Sequence, residues 1–194
     1  MYNTLTNKQL ASLKHVYLEE GQVLFHETDE CKRVGIVISG TIKIVSHTNS
    51  GNEIIYNVLK QGNIFGNNLL FSNDVKYKGD VIAQSKSEIL LISKEEMLKL
   101  LKTNDAFLEK YLLIEAENTK KLNSKIKLLS FDSSEERLLF YLKENNNNVS
   151  YSSITELAKE LGLQRETLSR LISKLVKGKI ITNQNKKIRR ISFL

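Results

Sequence analysis

The stretch that decides the fold is LGLQRETLSRLISKL, residues 161–175. Leu161, Leu163, Leu168, Leu171, Ile172 and Leu175 recur at helical spacing, so one face of this segment is built for burial. Between them stand Gln164, Arg165, Glu166, Thr167, Ser169 and Arg170. An ordinary solvated face alternates Lys and Glu loosely, whereas this one concentrates two arginines and short hydrogen-bonding side chains in its first two turns. Arg165, Ser169 and Ile172 or Ser173 follow one line along the helix, and Glu166 and Arg170 lie one turn apart on the next. At the N-terminal end of a helix in a DNA major groove, an arginine can give two parallel donors to guanine O6 and N7, and a carboxylate can accept from the cytosine amino group. Arg165, Glu166 and Arg170 are therefore candidate base readers, with Glu166 expected to buttress Arg170 as an i, i+4 pair. Thr167 and Ser169 suit phosphate contacts, which position a module without specifying sequence.

The segments on either side agree. Upstream, SSITELAKELG carries a capping-box pattern, Ser153 with Glu156, and an apolar face of Ile154, Leu157 and Leu161; Ala158 allows close approach by a neighbouring helix. Gly162 ends that helix, because a chain leaving a helix sharply needs positive φ. Two helices joined by a short turn containing Gly form a helix-turn-helix. Downstream, KIITNQNKKIRRISFL reads as two short strands about a polar turn, a wing bearing Lys186, Lys187, Arg189 and Arg190 as further phosphate contacts. Before the pair, Ser133 and Glu136 repeat the capping box ahead of Leu138, Leu139, Phe140 and Leu142, which starts a new domain near residue 131. NNNN, residues 145–148, reads as a loop.

Further upstream, residues 93–130 have helical period. Leu108, Leu112, Glu115, Thr119, Leu122, Ile126 and Leu129 are spaced 4, 3, 4, 3, 4, 3, the pattern of a coiled-coil seam with polar Glu115 and Thr119 in its middle. The stripe fits a second copy of the chain; packing against its own neighbouring domain is the alternative. From Tyr17 to about Ile92 the chain reads as short alternating strands such as TIKIV and EIIYNVL, with turns at Gly21, Gly40, Gly51, Gly62 and Gly66, the mark of a compact antiparallel sandwich or barrel. The chain has no proline, so glycine is expected to supply nearly all the turn chemistry. The reading is thus α+β: an N-terminal antiparallel, jelly-roll-like β-roll over residues 1–103, a long dimerisation helix over 104–130, and a winged helix-turn-helix over 131–194.

Charge follows the same division. Lys+Arg and Asp+Glu balance over residues 1–149, and the whole net charge of +7 lies in residues 150–194. A neutral part followed by a basic one points to a polyanion as partner of the second, unless the basic end serves solubility alone. No apolar run approaches the roughly 18 residues that cross a bilayer, and the first residues lack a signal-peptide pattern, so the expectation is a cytoplasmic protein with no membrane partner. The single cysteine, Cys31, forms no internal disulfide and no thiolate cage.

Taken in order, these parts resemble the CRP/FNR transcription regulators of bacteria, which join a cyclic-nucleotide-binding-like β-roll, a dimerisation helix and a winged helix-turn-helix. The resemblance rests most on RETLSR, residues 165–170, preceded by ITELAKELGL, and on SGTIKIV and QGNIFGNNLLF in the β-roll. It implies a homodimer on a palindromic operator with half-sites of the TGTGA type, Arg165, Glu166 and Arg170 reading bases, and Gln164 standing at a phosphate-contacting serine position. It also implies RNA polymerase as a partner if the protein is an activator. The effector cassette departs from the family pattern. Cyclic-AMP-binding members pair Gly-Glu with a later Arg-Ser, whereas FGNNLLFSNDVKYKGDVIA follows Gly66 with Asn67 and places Tyr77 and Lys78 at the Arg-Ser position. A buried phosphate without its arginine loses hydration for little in return, so Gly66, Asn67, Tyr77 and Lys78 read as a degenerate pocket that does not take cyclic AMP, unless Lys76 or Lys78 substitutes.

One cysteine cannot hold the iron-sulfur cluster of the oxygen-sensing members, and His15, His26 and His47 are isolated. No cofactor or metal is expected, and the effector stays unknown. Two other readings compete: a small-molecule sensor or protein-interaction module that binds DNA only non-specifically, and a cupin-type metal enzyme, which lacks its paired histidines here. The leading reading is a DNA-binding regulator and not an enzyme.

Overall fold

A computed structural model describes residues 1–48 and 50–191. The chain divides into two compact units, Met1–Glu115 and Ala116–Leu194.

In the first unit a short helix α1 (Asn7–Ser12) precedes strands β1 (Lys14–Leu18), β2 (Val23–Phe25), β3 (Arg33–Ser39), β4 (Thr41–His47), β5 (Glu53–Lys60) and β6 (Ile64–Phe65). The four-residue helix α2 (Asn67–Leu70), strands β7 (Asp80–Ala83) and β8 (Ser87–Ser93), and helix α3 (Lys94–Thr103) follow. Two four-stranded antiparallel sheets, ordered β1-β8-β3-β6 and β2-β7-β4-β5, make the β-roll. Its core holds Val34, Ile36, Ile42, Val81, Ala83 and the run Ile89 to Ile92, together with Met97 and Phe107. Gly40, at φ +82, makes the β3–β4 turn, and a Cβ there would stand 2.3 Å from the Lys86 carbonyl, so only glycine fits.

EIIYNVL alternates in sequence but not in burial. Ile54, Ile55, Tyr56 and Val58 are all exposed, because β5 is the edge strand of its sheet and a register shift opposite Ile44 and Val45 leaves Tyr56 as an extra residue. The helical stretch after β8 also proves to be two helices. Ser93 and Glu96 close a full capping box at the start of α3, and Asn104 interrupts it: its Oδ1 accepts from the Phe107 N–H at 3.0 Å while its Nδ2 donates to the Thr4 carbonyl at 2.9 Å. Helix α4 (Asp105–Ser130) then begins, and the boundary between the units falls inside it.

The second unit contains the end of α4, helix α5 (Ser134–Glu144), strand β9 (Asn148–Ser150), helices α6 (Ile154–Leu161) and α7 (Arg165–Lys177), and strands β10 (Ile181–Gln184) and β11 (Lys187–Arg190). Its core gathers Leu128, Leu138, Leu142, Leu157, Ala158, Leu161, Leu168, Leu171, Ile172 and Leu175 with Val149, Ile181 and Ile188 from the sheet. Ser133 and Ser153 accept from the N–H groups of Glu136 and Glu156 at 3.2 and 3.1 Å; neither glutamate returns the bond, so each cap is half of the expected box. Gly162, at φ +64, leaves α6 as anticipated. The asparagine run is not all loop. Asn148 opens β9, which pairs with β11 in a sheet ordered β10-β11-β9. Asn146, Asn147 and Asn185 hold positive φ, as do Lys179 and Lys186, so asparagine and lysine share turn work expected almost entirely of glycine. The end of the wing sequence, residues 192–194, lies outside the described residues.

Candidate nucleic-acid interface

Helix α7 buries Leu168, Leu171, Ile172 and Leu175 and exposes Arg165, Glu166, Thr167, Ser169, Arg170 and Ser173. Of the two residues offered for the third position on the Arg165–Ser169 line, Ile172 belongs to the core and Ser173 to the outer face. Gln164 is the N-cap in extended backbone with its side chain free of any cap bond, so α7 presents unpaired N–H groups beside two arginines. Glu166 does not buttress Arg170. Its carboxylate lies 3.7 Å from Arg165 Nη1, and the pair is exposed on both sides, a weak tether that leaves either partner able to turn outward. Arg170 enters no ion pair among the described residues. It lines a surface recess with Thr167 and Lys174 against Asp132 to Glu135 at the start of α5, where Lys174 pairs with Glu135 at 2.9 Å. Ser169 accepts on its carbonyl from the Ser173 hydroxyl at 3.0 Å.

The wing cations divide by strand geometry. Ile188 is buried, so Lys187 and Arg189, its neighbours on β11, point to the opposite face, where Thr182, Gln184, Asn148 and Ser150 pair beside them. Lys186 sits in the two-residue turn with its ammonium donating to the Ser152 carbonyl at 3.0 Å. Arg189 is exposed and Lys187 half-buried. The structure therefore joins Lys187 and Arg189 on one polar face and sets Lys186 against its own backbone.

In the first unit the residues of the effector cassette separate. Gly66, at φ +77, caps α2, and a Cβ on it would meet Cys31 Sγ at 3.0 Å, the Arg33 carbonyl at 3.1 Å and the Tyr77 hydroxyl at 3.3 Å. Tyr77 is buried, its ring stacked on Phe25 at 4.9 Å and its hydroxyl donating to the Arg33 carbonyl at 3.4 Å. Burial pushes both the Tyr77 hydroxyl and the Cys31 thiol up from their ordinary values. Asn67 is buried as well, but its amide donates to the Glu115 carboxylate on α4 at 2.5 Å. Lys78 lies outside the cluster, exposed and paired with Asp74 at 2.5 Å. Gly66 and Tyr77 thus meet, Asn67 turns to the helix and Lys78 to solvent. Cys31, Phe25 and Glu115 complete this arrangement unforeseen; the one signal for Glu115 was its polarity inside an apolar stripe.

That stripe changes accordingly. Glu115 faces Asn67 rather than a seam, and it stands beside Tyr111, whose hydroxyl is pushed up to about 12 by burial first and by this carboxylate second. Leu108 is half-buried. Leu112, Leu122, Ile126 and Leu129 are 56%, 61%, 59% and 45% exposed, which is unusual for four large apolar residues on one helix. Among the described residues no group of three or more His, Cys, Asp or Glu is placed to hold a metal, and no helix is long and apolar enough to cross a membrane.

Known proteins share parts of this geometry. Residues 15–104 match the cyclic nucleotide-binding domain. The regulatory protein HlyX of Actinobacillus pleuropneumoniae is 27% identical over 95% of this chain and 83% of its own length. The anaerobic regulatory protein of Bacillus subtilis is 24% identical over 76% of this chain, which spans 57% of that protein. The crystal structure of the Thermus thermophilus catabolite activator protein shares the fold at a TM-score of 0.57 and 20% identity, covering 98% of this chain and 92% of the other. The matched domain and the fold shared with the Thermus protein agree with a β-roll followed by a winged-helix unit. In the matched domain and in these relatives the chain is similar to the CRP/FNR transcription regulators.

Proposed function

We propose that the protein binds a palindromic DNA operator as a homodimer, through α7, without cyclic AMP. The observation that carries the reading is the outer face of α7, where Arg165, Glu166, Thr167, Ser169 and Arg170 are all exposed while the other face is anchored by four buried residues. A rigid helix holding exposed arginines at its N-terminal end, one only loosely tethered to Glu166 and the other in no ion pair among the described residues, is what base reading requires. Arg165, Glu166 and Arg170 read bases; Gln164, Thr167, Ser169, Lys187 and Arg189 hold phosphates, with Lys186 joining them only if it leaves Ser152. The basic excess of the second unit supports a polyanionic partner, and a cytoplasmic location belongs to the same reading.

Leu112, Leu122, Ile126 and Leu129 form the dimer seam, with residues 104–130 as the dimerisation segment between a β-roll domain and a DNA-binding domain. Two recognition helices then lie about one DNA turn apart, roughly 34 Å. The β-roll takes no cyclic AMP in this reading, because Tyr77 fills the cassette with an apolar ring, Asn67 is engaged by Glu115, and Lys78 is held outside by Asp74. If the protein is an activator, RNA polymerase is its further partner.

Selection of a random double-stranded DNA library on the purified protein, with and without cyclic AMP, tests all of this. An inverted repeat enriched equally in both arms is expected. Enrichment only with the nucleotide would reverse the reading of the cassette, and none in either arm would return the protein to the class of sensor or interaction module.

A further inference from the structure

The second unit contains a recess that the DNA reading does not use. It has a volume of about 420 Å³ and lies between the last turns of α4 and helices α5 and α6. Its floor is apolar: Leu128, Phe140 and Tyr141. Lys120, Lys121 and Lys125 line the α4 side, and Glu144 and Glu160 the other, with Glu117 one turn before the lysines. A concave apolar floor of this size with a few convergent polar groups is the usual form of a small-molecule site.

The charges around it are not equally available. Glu160 accepts from the Tyr141 hydroxyl, and Glu144 accepts from the Ser124 hydroxyl at 3.0 Å. Lys125 donates to the Glu160 carbonyl. Burial and the Glu160 carboxylate hold the Tyr141 hydroxyl well above its ordinary value, so it remains a donor to that carboxylate. Lys120 and Lys121 make no ion pair among the described residues, Glu117 included, and so remain to meet a ligand. Lys120, with Glu117, Ser124 and Leu128, falls on the side of α4 away from Leu122, Ile126 and Leu129, and Lys121 flanks that stripe, so a dimer seam on it leaves the recess open.

We infer that this recess binds a small organic monoanion: an apolar or aromatic body over Leu128, Phe140 and Tyr141, with its carboxylate or sulfonate between Lys120 and Lys121. Three carboxylates on the rim exclude polyanions such as nucleoside polyphosphates, because a second or third negative charge would face Glu117, Glu144 or Glu160. The inference does not depend on DNA binding.

Titration of the full chain with 1-anilinonaphthalene-8-sulfonate, an aromatic monoanion whose emission rises out of water, tests it. One saturable site per chain is expected, weakened at least tenfold by Lys121→Glu, abolished by Ser124→Trp, which fills the recess, and retained by Leu122→Asp. Lys121 is exposed, so its substitution does not endanger folding even if that of Ser124 does. Full-strength binding in Lys121→Glu, or binding lost in Leu122→Asp and kept in Ser124→Trp, would place the dye on the exposed leucines of α4 and overturn the inference.

Discussion

Leu122→Asp separates the proposed dimerisation from folding. Leu122 is 61% exposed in the single chain, so folding of one copy loses little when it is replaced; an exposed substitution of this kind costs within about 0.5 kcal/mol. In a symmetric seam the same change acts twice. Covering the exposed part of a leucine is worth roughly 1 to 2 kcal/mol at about 25 cal/mol per Å², and a carboxylate placed in an apolar seam opposite its own copy adds a penalty of several kcal/mol. The sum weakens the dimer by at least about 4 kcal/mol, roughly a thousandfold in Kd. Sedimentation velocity across a concentration series reads the dimer constant, and thermal unfolding of the dilute protein reads the fold. Monomer with an unchanged melting transition, and operator affinity reduced in parallel, is the expected result. A variant that stays dimeric with the wild-type constant would refute the seam and move the interface off α4.

Other outcomes follow from particular contacts. Arg170→Ala should cost about 1 to 3 kcal/mol on the selected operator and blur preference at one base pair, whereas Lys187→Ala should weaken all sequences alike and flatten the salt slope by about one unit; fluorescence anisotropy against salt distinguishes the two. Gly66→Ala forces a side chain into φ +77 with three atoms within 3.3 Å, and should lower stability by about 1 to 3 kcal/mol in denaturant melts. Tyr111, raised to about 12 against 10 for the unfolded chain, keeps its proton longer when folded. Its contribution is therefore complete below pH 10 and lost as pH rises from 10 through 12, and Tyr111→Phe should flatten that part of the stability profile. Gly162→Val should destabilise the second unit by about 1 to 2 kcal/mol or more, since φ +64 is strained for a β-branched residue and its Cβ would lie 2.6 Å from Leu129 Cδ2.

Much of this molecule was legible along the chain, for a local reason. Helix α7, its buried leucines and Gly162 follow from helical period and from the residue type that accepts the αL turn most readily. The charge division needed only counting. What failed were readings that required knowing a neighbour. EIIYNVL promised one buried face, but a strand's alternation is realised only if a layer covers it, and β5 lies at a sheet edge. The two capping boxes formed only half, because the second bond depends on where the glutamate side chain settles. Glu166 chose Arg165 over Arg170 for the same kind of reason: spacing allows both pairs and rotamers decide.

The sites divide along this line. By itself the sequence determined the polar face of α7 and the basic wing, since each depends on residue type within one element. Only the tertiary structure decided that Tyr77 stacks on Phe25, that Asn67 reaches across 48 positions to Glu115, and that Lys187 and Arg189 share a face while Lys186 is tied to Ser152. It also decided that Leu128, Phe140 and Tyr141 floor a recess beside Lys120 and Lys121, which make no ion pair among the described residues. Those are contacts between elements distant in sequence, and their partners are chosen by packing, which no local pattern encodes.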